Sequence, residues 1–208
     1  MMDIAPYDNR MVRVSDRFGH VFSGIAETLT PDYCLHEYGW DEESIKICNF
    51  IIRASDITGI TKLPGLRVLR ATETWQQAGA YYVRIQAMAK KHHISLRDEF
   101  DDHDGAKDTR YIVVTDDDFP VATARMYPID RQSLMIGRVV VLPEYRRLGI
   151  GRMVVYLCEE WAEEAGFEKT VVESRDNKVE FYRDAGYEIV GDAVDGVTFR
   201  CIRMEKEL

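Results

Sequence analysis

Arg146, Arg147, Gly149, Gly151 and Arg152 fall within one short stretch of the chain, and their types and spacing describe a site for an anion. Glycine at two alternating positions removes the side chains that would keep a bound group off the backbone, and the arginines surround it with positive charge. The stretch follows the apolar run Val139-Val140-Val141-Leu142. It precedes a segment in which Ile150, Met153, Val154, Leu157, Cys158, Trp161, Ala162 and Ala165 recur at three- and four-residue spacings. That order is a buried strand, a turn and an amphipathic helix. A helix N-terminus leaves backbone N–H groups unpaired and carries partial positive charge, so a loop wrapped closely around it can hold a pyrophosphate. The same glycines would also serve simply to tighten a strand-to-helix turn. Neither the dinucleotide-binding spacing G-x-G-x-x-G nor the Lys-Ser/Thr of a P-loop is present.

The elements that must position this loop can be read around it. A strand from Leu66 to Ala71 is followed by a helix over Thr74 to His93. A hairpin joins Tyr111–Thr115 to Val121–Tyr127 across Asp116-Asp117-Asp118, and a long apolar strand runs from Leu134 to Leu142. Gly166 stops the amphipathic helix. Thr170 to Glu173 then reads as a buried strand, Asn177 to Ala185 as a short helix closed by Gly186, and the C-terminal stretch as a β-hairpin.

Residues 1–62 read differently, as short strands without a helix-length periodic segment: Met11–Ser15, Val21–Leu29, Tyr33–Tyr38, Ser44–Ile52 and Asp56–Ile60. With Gly19 in the first turn and Gly24 inside the second strand, this part resembles a small SH3-like or Sm-like β-barrel. No binding motif of those families is legible, so the expected role is docking or oligomerisation without chemistry. Thr61-Lys62-Leu63-Pro64-Gly65 reads as a hinge. The expected domains are therefore 1–62 and 63–208, and the second is expected to fold alone.

Composition narrows the partners. With 208 residues and 46% hydrophobic side chains the chain can fill a real core. A net charge of -9 disfavours phosphate backbones, so no nucleic acid is expected. No apolar run approaches the length of a membrane helix, and no membrane partner is expected. Cys34, Cys48, Cys158 and Cys201 lie far apart and form neither a CxxC pair nor a metal set with the histidines. Reduced thiols in a cytoplasmic protein, with no metal, are the simple reading. A homodimer is left open.

Taken whole, Arg-x-x-Gly-x-Gly after an apolar strand ending in Pro143-Glu144-Tyr145 resembles the acyl-CoA signature of the GNAT superfamily. The resemblance covers about residues 66–208. Phe181-Tyr182-Arg183-Asp184-Ala185-Gly186-Tyr187 is similar to the FYxxxGF/Y segment of that superfamily. Arg84 to Met88 and Ile94 to Asp101 are similar to its ElaA-like branch, although Met88 and Lys91-His92 depart from the FVxEQ pattern there. The resemblance implies an α/β (α+β) GNAT acyl-CoA N-acyltransferase fold, with a mixed, mostly antiparallel central sheet, preceded here by the small all-β barrel. It implies acetyl-CoA as acyl donor and a small-molecule or protein amine as acceptor. Two central strands would splay at a bulge, Val139, Val140 and Val141 would bond pantetheine through main-chain groups, and Arg146, Arg147, Leu148, Gly149, Ile150, Gly151 and Arg152 would hold the pyrophosphate.

Acyl transfer to an amine needs a proton acceptor, because an alkylamine with a pKa near ~10.4 is protonated at neutral pH. The carboxylate many relatives carry at the start of the long apolar strand is absent from Met135-Ile136-Gly137-Arg138. Glu173 and His103 are the candidates instead. Periodicity places Tyr182 on the face shared with Val179 and Ala185, as a core tyrosine; the resemblance makes it the general acid for the departing thiolate. Arg175 stands at the spacing where relatives carry an asparagine, and Asn177 lies two residues closer as the candidate CoA contact. The acidic loop Asp98, Glu99, Asp101, Asp102 and Asp104 would either attract a cationic amine or be a solvated surface. Trp75, Tyr81 and Tyr82 would either line the acceptor site or pack a core. The alternatives to catalysis are an acyl-CoA-binding sensor and a partner-recruiting module.

Overall fold

Alternation of buried and exposed residues builds the N-terminal sheet. The computed structural model describes residues 2–195 and 199–208. In β1 (Met11–Asp16) Val12 and Val14 are buried while Met11, Arg13 and Ser15 are partly exposed, the period-two pattern of a strand with one covered face. β2 (Val21–Leu29), β3 (Ser44–Ile47), β4 (Phe50–Arg53) and β5 (Ile57–Lys62) complete an antiparallel sheet of order β4-β3-β2-β1-β5. Phe22, Ala26, Ile45, Ile47 and Ile52 join Val12 and Val14 in its core.

Three expectations for this part change. Tyr33–Tyr38 is not a strand but the body of helix α1 (Pro31–Tyr38). Its start and stop are chemical: the Thr30 hydroxyl accepts from the Tyr33 N–H at 3.3 Å, Pro31 takes the first turn, and Gly39 closes the helix at φ 81°. Ser44–Ile52 is broken into β3 and β4 by a turn at Cys48-Asn49, with Cys48 at φ 57°. Finally, the sheet is open rather than a closed barrel. Among the described residues no ladder joins β4 to β5, because the short helical turn Ala54–Asp56 separates them and β5 pairs with β1 instead.

The second part follows the expected order. β6 (Leu66–Arg70) leads to α2 (Thr74–Arg84), which continues through a π-helical segment, Ile85–Ala89, into α3 (Lys90–His92), and then α4 (Leu96–Glu99). β7 (Arg110–Asp116), β8 (Phe119–Pro128) and β9 (Ser133–Val141) precede the long helix α5 (Ile150–Glu164). β10 (Lys169–Arg175), α6 (Val179–Arg183), β11 (Glu188–Ile189), β12 (Val194–Asp195) and β13 (Arg200–Glu207) finish the chain. The sheet order is β11-β13-β10-β9-β8-β7-β6, with β12 also on β13. β9 and β10 run parallel and the other neighbours antiparallel, which is the mixed, mostly antiparallel sheet expected. The C-terminal hairpin is found in part as β12 with β13; residues 196–198 between them lie outside the described residues.

Each face of this sheet has its own core. Ile112, Val114, Ala122, Ala124, Met126, Leu134, Ile136 and Val172 pack against Met153, Val154, Cys158 and Ala162 of α5. On the other face Ala80 of α2 meets Tyr111 and Val113, and Val83 and Ala87 meet Val140 and Leu142.

The two parts are not loosely strung. Thr61 and Lys62 belong to β5, the Leu63 N–H donates to the Met11 carbonyl at 2.8 Å, and Met11, Cys48 and Leu63 pack on the α5-side core. Residues 63–208 expressed alone are thus expected to keep the mixed sheet but to melt below the full chain, by roughly 2–4 °C for each ~1 kcal/mol of lost contact. Thermal circular dichroism on both proteins checks this. Coincident melting curves would mean that the N-terminal sheet contributes no stability.

Candidate active site

The slot begins with one extra residue in β9. Gly137 pairs with Arg125 of β8 and Val140 with Thr123, so Arg138 and Val139 together oppose Ala124 in a β-bulge. The bulge inverts the alternation. Before it Leu134 and Ile136 face α5, whereas after it Val139 and Val141 pack on that side and Val140 and Leu142 face α2. The parallel ladder with β10 ends at Ile136 and Val172, and beyond this point the two strands part. Among the described residues, the edge of β9 on the β10 side therefore has no partner strand from Gly137 to Val141. Arg138 adopts φ 51°, a conformation that costs a non-glycine residue ~1–2 kcal/mol. Its guanidinium is held by the Glu99 carbonyl at 3.2 Å and by Asp101 Oδ2 at 3.3 Å.

At the end of this slot lies the loop that the sequence marked. Pro143–Tyr145 forms a short helical turn, and α5 starts at Ile150 with Gly149 as its N-cap at φ 79° and no side chain capping it. Among the described residues, the backbone N–H groups from Arg147 through Gly149 make no hydrogen bond, and none of those from Ile150 to Arg152 is tied back to the loop. Arg146 and Arg147 are exposed beside them. Arg146 also donates through Nε to the Val141 carbonyl at 3.0 Å. Arg152 is differently placed: its guanidinium lies over the rings of Phe22 and Phe50 and reaches Asp184 at 3.3 Å.

Tyr182 projects from α6 into the α5-side core, edge-on to Phe181 and Tyr187, with ring centroids 5.0 and 5.6 Å away. It is half-buried, and that burial pushes its phenol pKa well above the ordinary value, with nearby thiols adding to the shift and Arg175 opposing it. It stays protonated at neutral pH. Glu173 is exposed and is the first residue of β10 after the ladder with β9 ends. Alternation sets it on the face opposite Val172, so Glu173 and Tyr182 flank the parting strands from opposite sides. His103 stacks on Tyr127 at 3.8 Å between centroids. Asn177 is exposed in the turn Asp176–Lys178.

Much of the acidic loop is spoken for. Arg84, wholly buried on α2, binds Glu99 Oε1 at 2.8 Å and clasps Asp104 with both terminal nitrogens. Arg125 grips Asp101 at 2.6 and 2.9 Å, and Tyr111 donates to Asp104 at 2.6 Å. Burial opposes ionisation of Asp104, yet the hydrogen bonds from Arg84 and Tyr111 outweigh it and hold the carboxyl well below its usual range. Glu99, Asp101 and Asp104 are thus a scaffold under the slot; Asp98 and Asp102 remain solvated. Tyr81 packs with Phe100 and Tyr111, whereas Trp75 and Tyr82 line a separate cavity of about 270 Å³ against the β7–β8 hairpin. None of this network was anticipated. The only sequence signal for it was arginine inside apolar strand and helix patterns.

Comparison with known proteins agrees with this geometry. The family model described as Acetyltransferase (GNAT) family matches residues 71–187, more than half of the chain. The chain is similar to YyaT of Bacillus subtilis (strain 168), 26% identical over 125 residues that span 60% of this chain and 84% of that protein. It is also similar to YjcF of the same organism, described as an N-acetyltransferase, at 24% over 61% of this chain and 89% of that protein. Among solved structures, one described as an N-acetyltransferase from Lactobacillus plantarum superposes with a TM-score of 0.65 at 27% identity, covering 69% of this chain and 99% of that one. Escherichia coli ElaA gives 0.60 at 19% identity over 68% and 99%. The family match and the superposition define the class as an acyl-CoA N-acyltransferase fold. The chain belongs to the GNAT acetyltransferase family and is an acetyl-CoA-dependent acetyltransferase.

Proposed function

We propose that the chain moves the acetyl group of acetyl-CoA to a primary amine by direct attack of the amine on the thioester. The parting of β9 and β10 at Gly137-Arg138 carries this reading, because it leaves strand-edge main-chain groups unpaired next to a free helix N-terminus. Val139 to Val141 would hold the pantetheine arm, and Arg146 to Gly151 the diphosphate. Glu173 takes the proton that the ammonium must lose. The amine nitrogen then bonds the carbonyl carbon while an N–H at the β9 edge supports the oxyanion. The carbonyl re-forms as the C–S bond breaks, Tyr182 gives its proton to the leaving sulfur, and the surplus proton of the amine nitrogen passes to the phenolate, leaving a neutral amide, a free thiol and Tyr182 restored.

Removing only the hydroxyl, in Tyr182→Phe, is expected to lower kcat by roughly 10²-fold while CoA affinity changes by no more than about three-fold. Turnover at the parental rate would move the acid elsewhere. The direct test of the function is a panel of amines with acetyl-CoA and detection of released thiol. Binding of acetyl-CoA without turnover on any amine would favour a sensor instead.

A further inference from the structure

The donor loop does not stand alone. Ser23, at the start of β2, is 2% exposed, and its hydroxyl donates to the carbonyl of Leu148. A trans peptide unit points its carbonyl and its N–H in opposite directions. With the Leu148 carbonyl turned onto Ser23, the Gly149 N–H is turned away from β2. The approach is close enough to exclude any side chain at Gly149: a Cβ there would lie 2.6 Å from the Ser23 nitrogen and 2.8 Å from the Phe22 carbonyl carbon. Both obstacles are backbone and cannot swing aside. Arg152 fastens the far side of the same contact, 5.6 Å from the Phe22 ring centroid and 5.0 Å from that of Phe50.

We propose that Ser23 is a positioning residue for the acyl donor: through it, the N-terminal sheet fixes the peptide plane whose N–H serves the diphosphate. This rests on the reading of the loop as the diphosphate site. It makes residues 1–62 part of the donor site rather than an independent docking module. Gly149 then answers two demands, close approach of the ligand on one side and of β2 on the other.

The test is Ser23→Ala in the full chain, titrated with CoA and separately with pantetheine, which lacks the diphosphate and nucleotide. CoA affinity is expected to fall roughly 3- to 10-fold, the scale of one hydrogen bond, with pantetheine affinity unchanged. Parental affinity for CoA, or an equal loss for both ligands, would overturn the proposal. Should the alanine variant fail to fold, Ser23→Cys keeps the side-chain volume with a weak donor and is expected to show the same selective loss; parental CoA affinity there would count against it equally. A parent chain that binds neither ligand overturns the diphosphate reading itself, and the role of Ser23 with it.

Discussion

Gly151→Val is expected to abolish measurable CoA binding in a protein that still folds. A Cβ at Gly151 would meet Phe181 and Val141 at 3.7 Å, ordinary contact distances, so the fold accepts a Cβ there without a clash. The ligand does not. Gly151 lies in the first turn of α5, among N–H groups that an anion must reach, and a branched side chain there shields them and holds the phosphates off. Calorimetry with CoA, alongside a thermal melt, separates binding from folding. Unchanged affinity in the folded variant would remove the diphosphate assignment. Gly149 is a poorer test, because its substitution also collides with β2 and strains a left-handed backbone.

Arg84→Met is expected to cost about 3–5 kcal/mol of folding stability, the scale for leaving buried partners of an ion pair uncompensated. That is a large share of the ~5–15 kcal/mol typical of a folded domain. Glu99 and Asp104 would keep their burial and lose the guanidinium that offsets it. Urea denaturation of both proteins measures the difference. The network also sets an acid limit. The Asp104 carboxyl is depressed in the folded state, so its contribution is complete above ~pH 5 and is lost as pH falls through ~4 toward the folded value. The variant is expected to show a flatter loss of stability between ~pH 5 and ~2. A loss below ~1 kcal/mol would mean that the network is compensated in another way.

The loop proposed to hold the donor is legible in the sequence because its signals are local. Gly149, Gly151 and the arginines stand within a few residues, and the apolar period of α5 marks where the helix starts. The succession of strands along the chain can be read from alternating patterns and turn residues, whereas the mixed sheet they build is what the family resemblance implies. The scaffold under the slot cannot be read in either way. Arg84, Glu99, Asp104 and Arg125 meet only through the packing of α2 and the 95–108 loop on the sheet, and no spacing in the chain encodes that. Tyr33–Tyr38 misled for a related reason. Its aromatics suit strands, but Thr30, Pro31 and Gly39 around it, the capping residues, decide the matter. The contact of Ser23 with Leu148 is more distant still, joining two parts that looked separable.

The bulge at Arg138 gives β9 a parity. A strand presents odd residues to one side and even residues to the other, and a single inserted position exchanges the two sets for everything that follows. The chemistry of the Arg138 side chain matters less to that exchange than the count of residues does. A regular strand through the same residues would turn Val139 and Val141 toward α2 and send Val140 and Leu142 toward α5, whereas losing one residue between Ile136 and Val140 would close the bulge and leave Val139 and Val141 facing α5 and Val140 and Leu142 facing α2. Both faces therefore need apolar side chains within reach. The unbroken run Val139-Val140-Val141-Leu142 meets that need, and it is why a strand that opens a cleft reads, in the sequence, like one that is merely buried.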